Sequence, residues 1–369
     1  MFEGRPRDSC LVSTLFTMPS HKETKWSFLV SGKRSFLNND ESDLHFKKMY
    51  KLTTDSSEGE DNGSSSDSGT LIPGMNRDDS LSCLIRCSRA DYCSIASVNR
   101  SLRSLIRSGE IYRLRRLQGT LEHWVYFSCH LNEWEAFDPR SKRWMHLPNM
   151  PQNECFSYGE IAVLAGGCDS SGRILDTAEL YNYEDQTWLV LPGMNKRRKM
   201  CSGVFMDGKF YVIGGIGVGE ENEPKVLTCG EEFDLKTRKW TEIPEMSPPR
   251  SNQGNGMSAA AMAPPLVAVV NDQLYAADHA GMAVRRYDKE KRVWNKVGNL
   301  PEQAGSMNGW GLAFRACGDR IIVIGGPKAP GEGFIELNSW VPSVTTPEWH
   351  LLGKKQSVNF VYNCAVMSC

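Results

Sequence analysis

Twelve cysteines, seven histidines and one glycine-rich run are the residues of this 369-residue chain whose chemistry comes first to mind. Cysteine with histidine suggests structural zinc, which needs thiolates presented in close pairs from a single turn. The cysteines stand at 10, 83, 87, 93, 129, 155, 168, 201, 229, 317, 364 and 369, and no Cys-x-x-Cys occurs among them. We expect scattered free thiols of a reducing compartment and no metal. His130, His146, His279 and His350 lack local pairing, so a copper centre is not expected either. The run GGIGVGE (214–220) departs from G-x-G-x-x-G and opens no helix, and it reads as a loop rather than a phosphate cradle. Glu220 and Glu221 fall in that same exposed stretch. No Ser/His/Asp or Cys/His set stands out. The expectation is a chain without catalysis or cofactor, built to bind.

Composition agrees with that reading. Apolar residues at 40% and charged residues at 24% are values of a soluble globular protein. The longest apolar runs are about ten residues, short of the ~20 a membrane helix needs, so no membrane contact is expected. Lys and Arg total 43 against 44 Asp and Glu, a balance that excludes a bulk electrostatic binder of nucleic acid. Arg100, Arg103, Arg107, Arg113, Arg115 and Arg116 do gather, with few aromatics between them, and read as the solvated face of an amphipathic helix. CLVSTLFTM (10–18) is followed by Pro19 and charged residues, without the small-residue cleavage pattern of a signal peptide. An intracellular chain, in cytoplasm and/or nucleus, is expected.

The elements that would position a binding site divide the chain in three. Residues 1–69 show no sustained periodicity and end in DSSEGEDNGSSSDSG (55–69), with five acidic residues and six serines; such a stretch is expected to stay disordered. Residues 70–120 form a small helical module and linker. Leu81, Leu84 and Ile85 share one helix face, and Asp91 can cap a second helix carrying Ile95, Val98, Leu102, Leu105 and Ile106, stopped at Gly109. Such a module is too small to be comfortable alone and is expected to need a partner. Residues 121–369 change to short β-type runs with turn chemistry between them.

That last region repeats. An aromatic stands seven residues before a tryptophan at Phe137/Trp144, Tyr181/Trp188, Phe233/Trp240 and Tyr287/Trp294, and Trp349 supplies a fifth. The tryptophans are 44, 52, 54 and 55 residues apart, room for four strands per unit. A strand closed by a glycine pair precedes the aromatic in IAVLAGG (161–167), FYVIGG (210–215) and IIVIGG (321–326). The glycines are expected to face a crowded central channel, and the aromatics to fill the wedge between neighbouring blades. The first unit (123–144) lacks a strand before it, and 358–369 supplies one strand with no tryptophan after it, so the C-terminal strand is expected to complete the first blade.

These units resemble the kelch repeat, which implies a mainly β fold, a β-propeller of five blades closed by the C-terminal strand. With Ile72-Pro73, the stripe Leu81/Leu84/Ile85 and VNRSLRSLI (98–106), residues 71–116 resemble an F-box, although Leu102 stands where that family carries Trp. The whole of 71–369 resembles the plant F-box/kelch proteins of the Skp-interacting subgroup. The resemblance implies a substrate-recognition subunit of an SCF-type ubiquitin ligase, docked on a Skp-type adaptor and through it on cullin, with a target protein held by the propeller. The adaptor face would comprise Pro73, Leu81, Leu84, Ile85, Ile95, Val98, Leu102 and Leu105. A kelch scaffold without a ligase is the alternative, and Leu102 supports it.

Within a propeller, the second-to-third loop of a blade and the blade-to-blade loop emerge on one side. Here those loops are long (168–176, 216–227, 245–265, 327–333), while the opposite ones are short and polar. Long loops on a rigid scaffold are where recognition sits. Arg173, Arg197, Arg198, Lys199, Arg250 and Trp310 are the expected target-binding residues on that side.

Overall fold

The computed structural model describes residues 16–17, 70–130, 133–147, 161–182, 187–219, 222–249, 263–304, 306, 309–327, 333–342 and 347–368. The acidic run 55–69 and Arg250 lie outside them, as does the rest of 1–69 apart from Phe16 and Thr17. The described residues fall into two compact units: 70–112, and 113–368 together with Phe16–Thr17.

Helices α1 (Arg77–Leu84), α2 (Tyr92–Val98), α3 (Arg100–Arg107) and α4 (Glu110–Leu117) follow one another closely. Asn76 caps α1 by accepting from the Asp79 N–H at 2.7 Å. Leu84, Ile85, Tyr92, Leu102, Leu105 and Ile111 are buried, and the Tyr92 hydroxyl donates to the Leu84 carbonyl at 3.0 Å. The periodicity from Ile95 to Ile106 predicts one helix, yet the structure has two. Asn99 takes an extended backbone (φ −151°, ψ 170°), and its side chain accepts from the Leu102 N–H at 2.7 Å. An asparagine that satisfies the backbone this way ends one helix and starts the next. Gly109, at φ +78°, ends α3 as expected, and α4 then begins at once. Asp91 precedes α2 but makes no side-chain cap bond. One arginine of the expected solvated face is not solvated: Arg115 is buried against Glu122 at 3.0 Å.

Five four-stranded antiparallel sheets make the propeller. The first blade holds β2 (His123–His130), β3 (Glu133–Asp138), β4 (Arg143–His146) and, at its inner edge, β22 (Asn363–Ser368). In the second, β1 (Phe16–Thr17), β5 (Ile161–Ala165), β6 (Ala178–Asn182) and β7 (Thr187–Leu191) run from inside out. The third contains β8 (Ser202–Met206), β9 (Lys209–Ile213), β12 (Gly230–Asp234) and β13 (Lys239–Ile243), with a separate ribbon of β10 (Ile216–Val218) and β11 (Pro224–Val226). The fourth has β14 (Val267–Val270), β15 (Gln273–Asp278), β16 (Ala283–Asp288) and β17 (Val293–Asn299). The fifth has β18 (Ala313–Cys317), β19 (Arg320–Gly325), β20 (Phe334–Trp340) and β21 (His350–Gln356). As expected, the C-terminal strand completes the first blade, with six register pairs from His123↔Ser368 to Ser128↔Asn363.

The seven-residue spacing is a hairpin seen in one dimension. Phe137, Tyr181, Phe233 and Tyr287 sit directly opposite Trp144, Trp188, Trp240 and Trp294 on the third and fourth strands. Their rings lie 4.8, 5.0, 4.9 and 5.1 Å apart, tilted pairs of the kind aromatic quadrupoles favour. Two residues before three of these tryptophans, Lys142, Arg238 and Arg292 adopt left-handed backbone (φ 55–56°) that turns the hairpin. The wedge role is borne out in every blade but the second, whose Tyr181 and Trp188 join no cluster between blades. The indole N–H of Trp240 donates to the Pro192 carbonyl (2.7 Å), that of Trp294 to Met246 (3.2 Å) and that of Trp349 to Asn299 (2.8 Å), each reaching the preceding blade.

The glycine pairs need a different account from the one expected. A Cβ on Gly166 (φ +73°) would fall 2.2 Å from the Arg198 carbonyl oxygen, and one on Gly215 (φ +95°) 2.6 Å from that of Lys199. The crowding comes from the blade-to-blade loop crossing the strand end, not from the channel. In the fourth blade the connection is short, and Asp278 accepts from the Gly281 N–H and from Arg285, which lets Asp278-His279 stand where the second, third and fifth blades have a glycine pair.

Candidate binding face

The described parts of three long loops, 168–176, 216–227 and 245–249, lie next to the 192–199 connection or to each other, and backbone bonds join them. The Gly167 N–H donates to Arg198 at 2.8 Å and the Arg198 N–H to Leu175 at 3.0 Å, joining the second blade's inner connection to the loop that leaves it. Lys199 and Ile216 exchange two bonds (2.9 and 2.7 Å), and the Ser247 N–H donates to Thr228 at 2.7 Å. These loop segments are thus strapped to one another within the protein, an ordering that a surface built for binding would not have to supply again.

Arg198 holds this arrangement from beneath. Both it and Glu231 are fully buried (0% exposed) and meet at 2.6 Å. Glu231, on β12, also accepts the backbone N–H groups of Asn195 (2.6 Å) and Lys196 (3.0 Å), and Arg198 donates to the Gly214 carbonyl at 2.9 Å. The expectation that Arg198 contacts a target is therefore corrected: its guanidinium is spent inside the protein, positioning the 195–199 stretch. A charge paired with a strand residue 33 positions away leaves no local sign in the sequence.

Around that anchor the surface alternates in charge. Lys196 reaches Glu242 at 2.5 Å and lies 3.5 Å from the Cys229 sulfur. Glu242 raises the Lys196 pKa, and Lys196 in turn holds Glu242 below the usual carboxylate range. Arg173 is exposed and pairs with Asp169 at 3.1 Å; the Ser171 hydroxyl, more than Arg173, keeps that carboxyl low. Arg197 is exposed, 3.9 Å from Asp176. Lys199 is half-buried, and Trp310 is 42% exposed. Lys196, Asp169 and Glu242 complete a set that sequence reasoning named only in part. A groove of about 370 Å³ opens beside it, walled by Val226, Pro248, Pro249 and Trp294 with Glu245 and Arg292 among its polar lining.

The expected adaptor face is divided by burial. Leu84, Ile85, Leu102 and Leu105 are core of the helical unit, while Leu81 and Ile95 are half-buried and Pro73 and Val98 are exposed, Val98 at 73%. A stripe read from spacing alone merges the side of a helix that holds the unit together with the side left open. Among the described residues no cluster of His, Cys, Asp and Glu could hold a metal ion, and no helix is long and apolar enough to cross a membrane.

Residues 155–195 and 197–247 match the Kelch motif family. F-box/kelch-repeat protein At1g26930 of Arabidopsis thaliana is 87% identical over 421 aligned positions that take in the whole of both chains. F-box/kelch-repeat protein SKIP11 of the same plant is 49% identical over the whole of both chains, and F-box/kelch-repeat protein At1g74510 is 49% identical over 78% of this chain and 77% of its own length. Five four-stranded blades, a helical unit ahead of them in the chain and identity running the full length lead to one conclusion: this chain belongs to the plant F-box/kelch-repeat proteins.

Proposed function

We propose that this chain is the substrate-recognition subunit of an SCF-type ubiquitin ligase and does no chemistry of its own. The helical unit docks on a Skp-type adaptor and through it on cullin, and the loop face of the propeller holds a target protein. The subunit contributes proximity: a tethered target meets the charged ubiquitin at a high effective concentration. The observation that carries this reading is the pairing, in one chain, of a loop face already strapped together with a small helical unit that leaves Val98 and Pro73 open to solvent. Free thiols, Cys229, Cys317 and Cys364 among them buried, suit an intracellular compartment, cytoplasm or nucleus.

The burial pattern chooses the test. Leu84→Asp would unfold the helical unit and report nothing about docking. A Leu81→Asp, Val98→Asp double variant should keep its helicity and lose co-purification with a Skp-type adaptor. Retained binding would move the docking surface elsewhere, and wild-type protein that binds no adaptor would favour a kelch scaffold outside any ligase.

A further inference from the structure

A ring of sequence repeats needs one strand borrowed from the far end of the chain to close it. Here β22 is that strand, paired with β2 over six residues. The ring contains a second borrowed strand. In the third, fourth and fifth blades the inner strand directly precedes its neighbour through a two-residue turn, β8 to β9, β14 to β15 and β18 to β19, with four or five register pairs. The inner edge of β5 is instead met by β1, from the other end of the chain, through only Phe16↔Val163 and Thr17↔Ala162.

The packing changes at the same place. Among the described residues, clusters of buried apolar side chains join the second blade to the third, the third to the fourth, the fourth to the fifth and the fifth to the first. None joins the first to the second. Trp188 is 38% exposed, the most of the repeat tryptophans, and Tyr181 is half-buried where Phe137, Phe233 and Tyr287 are fully covered. The interval Trp144–Trp188 is 44 residues where the others are 52 to 55.

The length of the 87% relative supplies the remaining piece. Its alignment runs over 421 positions against 369 residues here, which leaves 52 without a counterpart in this chain. Those positions are about 12% of the alignment, so nearly all of the non-identity is absence rather than substitution. Fifty-two is also the interval between Trp188 and Trp240, one blade. We infer that this chain lacks one blade of that relative at the seam between its first and second blades, and that its N-terminal segment, through Phe16 and Thr17, supplies the inner strand the second blade has lost. An unpaired inner edge on β5 would leave backbone N–H and C=O groups unsatisfied next to an apolar core, and an extended segment of the same chain satisfies them by strand addition.

The test compares two full-length proteins, this chain and a version with the 52 positions restored from the relative's sequence, each with and without residues 1–20. Deletion should lower the thermal midpoint of the shorter chain by about 3 °C or more and raise acrylamide quenching of its tryptophan fluorescence. The restored chain should be unaffected. Phe16→Asp should reproduce the shift, and a synthetic peptide of residues 8–20 added to the deleted protein should reverse it. Equal shifts in both chains, or none in either, would overturn the inference. So would light scattering that finds the shorter chain dimeric and the deletion monomeric, since the strand would then come from a second copy.

Discussion

The outer-strand tryptophans of blades three to five each act twice, packing on the facing aromatic and donating an indole N–H to the blade before. Trp240→Phe keeps most of the packing and loses the bond to Pro192, a cost of about 1 kcal/mol, measurable as a lower urea midpoint; the same change at the exposed Trp188 should cost less. Arg198 is the more sensitive position. Arg198→Met strands Glu231 as a buried unpaired charge and should destabilise by about 3–5 kcal/mol. Replacing Glu231 with Met as well should restore part of that loss, which a double-mutant cycle would read. The buried thiols set a pH limit of another kind. Burial pushes Cys201 and Cys364 up to about 11 and Cys317 up to about 12, from 9.0. With folded values raised, their contribution is complete below pH 9 and is lost as the pH rises toward 11 to 12. Thermal melts should therefore weaken from about pH 9 upward, while Cys83 and Cys93, both exposed, should be the thiols that reagents reach in the folded protein.

Among the elements, the helical unit depends on its caps as much as on its core. Asn99→Ala removes the bond to the Leu102 N–H and should cost about 1 kcal/mol, seen as reduced helicity on mild heating with the propeller melt unchanged. Asn99 also marks where sequence legibility ends. The strands and their partners could be read because cross-strand pairing writes itself at fixed spacing: Phe137 faces Trp144 since a hairpin with a fixed turn admits no other register. Helix breaks and burial are set by contacts distant in sequence. Spacing places Leu84 and Val98 on one stripe, yet one is core and the other is solvent-facing. Likewise Arg173, Arg197 and Trp310 are exposed as read, whereas Arg198, adjacent to Arg197, turns inward to a carboxylate on another strand. The glycine pairs were legible as positions, though the carbonyls that crowd Gly166 and Gly215 both come from the loop between the second and third blades.

For the whole molecule, the ring is a chain of pairwise contacts whose closure falls to β22. Cys364 on that strand packs with Val125, Phe127 and Ile322 in the cluster joining fifth and first blades. Cys364→Asp would bury an unpaired charge there and should open the ring, with a loss of several kcal/mol and a larger hydrodynamic radius in size-exclusion chromatography. The dependence on β22 also sets a timetable during synthesis. β2 is complete at His130, and its partner strand begins at Asn363. At about 5–20 residues per second, a ribosome takes roughly 12–46 s to travel between them. Throughout that interval the nascent first blade carries a bare, apolar strand edge, the kind that aggregates or recruits a chaperone. A message broken a few codons early would thus leave the first blade without its inner strand and the ring unclosed.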